Sequence, residues 1–126
     1  FDGTPEGFAH KSQVLAEHCR RLGRDYDEIT RSANYNVIIG RDEREVADKL
    51  DRLQERYTAL MGEQKAAAQL GAFRGMPGVG TPEQIVANLS ALNKAGMTYA
   101  ITYFPELADD TSSLELFESE VVPALV

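Results

Sequence analysis

The feature that most constrains this chain is a tetrapeptide that occurs twice. Gly3-Thr4-Pro5-Glu6 recurs as Gly80-Thr81-Pro82-Glu83. Each reads as a helix start. The threonine hydroxyl is suited to accept a hydrogen bond from an unpartnered first-turn amide. Proline loses nothing at the first helical position, where an N–H has no partner. The glutamate falls in the positive end of the helix dipole.

The residues after each start are also alike. Phe8, Leu15, Cys19 and Leu22 make one helical stripe, closed by Gly23; Ile85, Leu89 and Leu92 make the other, closed by Gly96. A strand is expected after each helix, roughly over 30–39 and 97–104. A helix–glycine–strand unit used twice predicts an alternating α/β chain with parallel strands. In the first strand Ala33, Tyr35, Val37 and Ile39 form the apolar face, and Ser32, Asn34 and Asn36 the other. In the second, Met97, Tyr99, Ile101 and Tyr103 form a bulky face, expected against the helices. Thr98, Ala100 and Thr102 form a small face, expected toward a barrel interior.

Between the units lies an insertion. Asp42 is placed to cap a helix with the stripe Val46, Leu50, Leu53 and Tyr57, and a second helical piece is expected near 63–70. A loop with three glycines and a proline, 74–80, comes next. The last helix starts near Ser113 and carries Leu114, Phe117, Val121 and Leu125, with Pro123 expected to distort its end. The whole is read as one partial domain over 1–126: a helix–strand unit at 4–39, a helical insertion with its glycine-rich loop at 42–80, and a helix–strand–helix unit at 81–126. The chain opens on Phe1, not methionine, and is expected to be a piece of something longer. Two parallel strands cannot close a barrel and leave both edges open. The expected partner is the remainder of a barrel or another copy of the chain.

Bulk properties exclude some classes. A net charge of −7 leaves no basic stripe for a nucleic-acid backbone. Apolar runs are too short to span a bilayer, and no export leader is seen. Cys19 is the single cysteine, so no internal disulfide can form, which fits a cytoplasmic protein.

The run from Gly3 through Glu17-His18-Cys19 and Leu22-Gly23-Arg24-Asp25-Tyr26-Asp27-Glu28-Ile29 resembles the sixth helix and seventh-strand lead-in of the luciferase-like monooxygenase family. Gly80-Thr81-Pro82-Glu83-Gln84 with Ala95-Gly96-Met97 resembles its seventh helix and the turn into strand eight. Tyr103-Phe104-Pro105-Glu106, and Leu114-Glu115-Leu116-Phe117 with Glu120-Val121-Val122-Pro123, resemble the end of strand eight and the last helix. The nearest branch is the coenzyme F-420-dependent oxidoreductases. The resemblance implies the C-terminal portion of a (β/α)8 TIM barrel, holding its last two strands. The parent would transfer hydride between reduced F-420 and a small organic substrate. An FMN-dependent monooxygenase is the alternative, and a non-catalytic α/β binding or assembly module the rival from another class. Most cofactor contacts in the family come from earlier strands, so the chain alone is expected to bind little or no cofactor.

Candidate residues come from the barrel reading, in which sites lie at the carboxyl ends of the strands. The start at Thr81 offers free amides to an anion, with Gly78 and Gly80 allowing close approach. Arg74 and the loop after it suit a lid with an anion contact. Asn34 and Asn36 are candidates for the barrel interior. Glu106 is expected to be a solvated loop acid. His10 and His18, eight residues apart on one helix, are too far apart to share a metal, and no metal site is expected. The residues identify no catalytic group.

Overall fold

A computed structural model describes residues 3–126; the opening Phe1 lies outside them. The fold is mixed α/β. Helix α1 spans Pro5–Leu22 and leads into strand β1, Ser32–Asn36, which after one residue continues as β2, Ile38–Ile39. The insertion forms α2, Glu43–Met61, and α3, Glu63–Arg74, followed by β3, Val79–Gly80. Then come α4, Pro82–Lys94, and β4, Tyr99–Tyr103. The chain ends in α5, Ser112–Leu116, a π-helical turn at Phe117–Val121, and α6, Val122–Leu125.

Both repeated tetrapeptides start helices as expected. Thr4 Oγ1 accepts the Gly7 amide at 3.1 Å, and Thr81 Oγ1 accepts that of Gln84 at 3.5 Å. Gly23 ends α1 in the left-handed conformation (φ 65°), which costs glycine nothing. Gly96 has φ 109°, and a Cβ there would lie 2.7 Å from Ser12 Oγ, so this turn is closed by both conformation and contact.

The strands run parallel. β1 pairs with β4 in the register Ala33 opposite Ala100 and Tyr35 opposite Thr102, and β2 pairs with β3. The Val37 amide donates to Tyr103 O at 2.7 Å and the next amide, of Ile38, to Gly78 O at 3.0 Å. Successive strand amides point to opposite edges, so the 32–39 strand is central, with β4 on one side and the short β3 on the other. Among the described residues the strands do not close into a barrel, and the outer edge of β4 is unpaired.

The apolar face of the first strand meets the helices. Ala33, Tyr35, Val37 and Ile39 are buried against Phe8 of α1, Ile85, Leu89 and Leu92 of α4, and Phe117 and Val121. A second core joins Ile38 to Val46, Leu50 and Leu53 of α2 and to Leu70 and Phe73 of α3. The third helical piece therefore runs on past 70, because Phe73 adds another turn to its buried stripe.

Three expectations fail, each for a local reason. The bulky side of the second strand does not meet the helices. Tyr99, Ile101 and Tyr103 are 58%, 36% and 53% exposed, on the same side as Ser32, Asn34 and Asn36. Arg31 O accepts from both the Thr98 and the Tyr99 amide, at 2.9 and 3.2 Å. Two residues of one strand thus face one of its neighbour, and this bulge reverses the side-chain phase. Met97 stays inside, while Ala100, still exposed, and the half-buried Thr102 fall on the side of Ala33 and Tyr35. Leu22 is 80% exposed, in the last turn where α1 runs out. Leu125 is exposed because the π turn adds a residue and rotates the stripe after Val121. Pro123 accounts for the widened turn, since it has no N–H for the carbonyl four residues back.

Candidate functional site

The open face and the start of α1 come together. A cleft of about 300 Å³ is lined by Gly3, Thr4, Asn34, Gly75, Met76 and Pro77, among others. Asn34 is exposed at its floor. Asn36, half-buried, sends its amide nitrogen to Met76 Sδ at 3.8 Å. The cleft exists because the loop after Arg74 folds back over the sheet, with Pro77 O accepting from the Asn88 side chain at 3.2 Å.

The other residues singled out from sequence lie elsewhere, in tight structural roles. Gly78 is buried, and a Cβ on it would lie 2.5 Å from Asn36 O. Its carbonyl and that of Gly80 accept the amides of Ile38 and Gly40. The end of the glycine-rich loop is therefore a strand. Gly80 has φ 151°, and a Cβ would meet Gln84 Oε1 at 2.5 Å. Arg74 is exposed in the last turn of α3, where a cation suits the negative end of the helix.

Thr81 forms a capping box with Gln84: the Thr81 amide donates to Gln84 Oε1 at 2.9 Å while its hydroxyl takes the Gln84 amide. The Glu83 carboxyl is held below its ordinary value, first by a hydrogen bond from its own backbone amide and then by the Thr81 hydroxyl. Pro82 has no amide. The donors of this helix start are thus used by its own side chains, and an incoming anion would have to displace the Glu83 carboxylate.

A third group of residues escaped the sequence reading. Lys49, on the inner face of α2, is 1% exposed. Its ammonium donates to Ile39 O at 2.7 Å, Ser113 Oγ at 2.9 Å and Ser112 Oγ at 3.1 Å. Ser113 in turn donates to Glu106 Oε2 at 2.7 Å, and Glu106 is 6% exposed, not a solvated loop acid. A signal was present: Lys49 lies three residues after Val46 and four before Leu53, squarely on the apolar stripe. A lysine beside a serine suggests nucleophile activation, but here all three ammonium hydrogens are committed and Ser113 is buried. The network ties the carboxyl end of the central strand to the start of α5.

Among the described residues no three His, Cys, Asp or Glu side chains assemble a metal site, and His10 and His18 are exposed. No helix of the described residues is long and apolar enough to cross a membrane. Neither a protein-family profile nor a curated protein matches the chain.

Proposed function

We propose that this chain is part of the wall of a (β/α)8 barrel, its last two strands with their helices, in a luciferase-like oxidoreductase that uses coenzyme F-420. The observation that carries this reading is the sheet itself: the parallel pair β1–β4 has helices on one face only, while α2 and α3 cover the opposite face just at Ile38 and β3. Parallel sheets are normally covered on both faces. The uncovered face bears Ser32, Asn34, Asn36, Tyr99, Ile101 and Tyr103, none of them charged, in a chain with 26% charged residues. An uncharged face of amides and aromatic rings suits an enclosed interior better than bulk water.

The fit to a large ring cofactor is partial. The cleft at Thr4 and Asn34 is at the small end of the roughly 300–1,000 Å³ typical of ligand sites. It suits one edge of such a molecule, with the remaining contacts supplied by the barrel's other strands. Asn34 would offer its amide to the cofactor's polar edge, and Asn36 would fix the wall beside it. The α4 start, with Gly78, Gly80 and Thr81, holds its own polar groups and would contribute shape. Arg74 is the exposed cation nearest this loop in sequence. F-420 supplies the hydride chemistry when bound, and the protein orients it toward a small organic substrate. A cytoplasmic location belongs to the same proposal.

Two measurements test it. Light scattering on the purified chain is expected to show self-association, driven by the open face. A monomer that unfolds cooperatively would instead favour a non-catalytic α/β module. Fluorescence titration of the chain extended upstream of Phe1 is expected to show F-420 binding; tight FMN binding without F-420 binding would move the assignment to an FMN-dependent monooxygenase.

A further inference from the structure

The connection between β4 and α5 is attached to the body of the protein in an unusual way. In the stretch 105–113 the buried side chains are Glu106 and Ser113, and both are polar. No apolar side chain anchors it: Leu107 is 44% exposed, Ala108 is exposed and Pro105 is half-buried. Its backbone bonds are local, from Leu107 to Phe104 O and from Asp109 and Asp110 to Glu106 O. The Ser112 amide is taken by Asp110 Oδ1 at 2.8 Å. What joins the stretch to its surroundings comes from one helix. Lys49 of α2 holds Ser112 and Ser113, and through Ser113 it holds Glu106; Arg56, two turns on, pairs with the exposed Asp109.

The ends are different. Phe104 packs edge-on against Phe117, ring centroids 5.7 Å apart, so the chain is fixed by apolar contact just before the stretch and again within the last helix. Between it and α2 is a cleft of about 350 Å³, open to solvent, with Arg52, Leu53 and Arg56 of α2 on one side and Glu106, Asp109 and Asp110 on the other.

We propose that 105–113, which takes in the first two residues of α5, is a strap that opens as a unit between the anchors Phe104 and Phe117, is latched shut by Lys49, and forms the movable wall of this cleft. A segment held by apolar burial comes away only when the core does. One held by a single buried ammonium is released when that bond set breaks, because a partly satisfied polar network has little left to hold it. The exposed Arg56–Asp109 pair adds little in water. The inference does not depend on the oxidoreductase reading.

Hydrogen exchange followed by mass spectrometry on the intact chain tests it, with the 105–113 amides compared to those of α4 and β1. In the unaltered protein the strap is expected to exchange through an opening that leaves α4 and β1 protected. Lys49→Met should speed exchange at Asp109, Asp110 and Ser112 by about tenfold or more, while α4 keeps its rates. Ser113→Ala, which cuts the link to Glu106 and leaves Lys49 two acceptors, should give a smaller change in the same direction. Strap rates unmoved by either variant would overturn the latch. Strap rates that follow α4 in step, in the unaltered protein or in Ser113→Ala, would overturn the independent opening, and these two samples decide the matter if Lys49→Met does not fold.

Discussion

The two faces of the sheet share every backbone hydrogen bond and differ only in what covers them. On the helix side Ala33, Tyr35, Val37 and Ile39 lie under α1, α4 and the last helix, with no residue of the set more than slightly exposed. On the other side Tyr99, Ile101 and Tyr103 leave much of their surface in water beside Ser32, Asn34 and Asn36. Hydrophobic stabilisation scales with apolar area removed from water, so the first face supplies folding energy and the second has most of its own still to realise. In the proposed barrel that remainder is released when the rest of the wall closes over it.

The sharpest way to break the comparison is to cut into the covered side. Leu92 is fully buried in α4. Leu92→Ala is expected to cost about 2–5 kcal/mol, from lost transfer energy and the cavity left behind. Urea unfolding measures it. A loss below about 1 kcal/mol would show that the helix layer does not hold the sheet.

The two Gly-Thr-Pro-Glu starts carry the comparison to the helix ends. Thr81→Ala is expected to cost about 0.5–2 kcal/mol of global stability, because α4 buries Ile85, Leu89 and Leu92 against the covered face. Thr4→Ala removes an equivalent cap, but α1 buries only Phe8 and Cys19. Its effect should appear as faster exchange in the first turn of α1 more than as a shift in the unfolding midpoint. Acid sharpens the contrast. The Glu83 carboxyl is depressed in the folded state, so its contribution is present above the ordinary carboxylate range and is lost as pH falls through the lower folded value. The stability difference between Thr81→Ala and the unaltered chain should therefore narrow in strong acid; a constant gap would disconnect Glu83 from the cap.

Much of this architecture was legible because its causes are local. The caps at Thr4, Asp42 and Thr81, the stripes of α2 and α4 and the alternation in 32–39 depend on residues within a few positions of one another. The failures have causes that sequence spacing does not contain. The phase of β4 is reversed by a bulge against Arg31, 67 residues away. Ser113 and Glu106 are buried because Lys49 reaches across from another helix. β3 was hidden by its own glycine, which carries no strand propensity. The site divided the same way. Asn34 could be placed on the face away from the helices, but its meeting with Thr4 depends on where the 75–77 loop lands.

Tyr35 tests the covered face through pH. Its hydroxyl points at Met97 Sδ, 3.6 Å away, and desolvation by burial pushes its ionisation above the ordinary tyrosine value. A raised value means that the folded state holds the proton more tightly than the unfolded state. That contribution is intact below about pH 10 and is lost as pH rises through the folded value. Tyr35→Phe should cost under about 1 kcal/mol at neutral pH and should flatten the fall in melting temperature above pH 10. An unchanged alkaline slope in the variant would assign that fall to other groups.

The smallest effect on folding is expected from the open side, and that near-absence is informative. Ile101→Thr keeps the branched side chain a strand prefers while making its face more polar. Because Ile101 is 36% exposed with no layer over it, the substitution should change unfolding free energy by no more than about 0.5 kcal/mol. The same change should lower the apparent mass of the chain in concentrated solution, since the face it alters is the one left to associate. A loss of 2 kcal/mol or more would mean that the face is already covered, and with it the contrast between the two sides would go. An unchanged mass with unchanged stability would detach association from this face and direct attention to the unpaired edge of β4, where backbone donors and acceptors can recruit another strand with little regard for side chains.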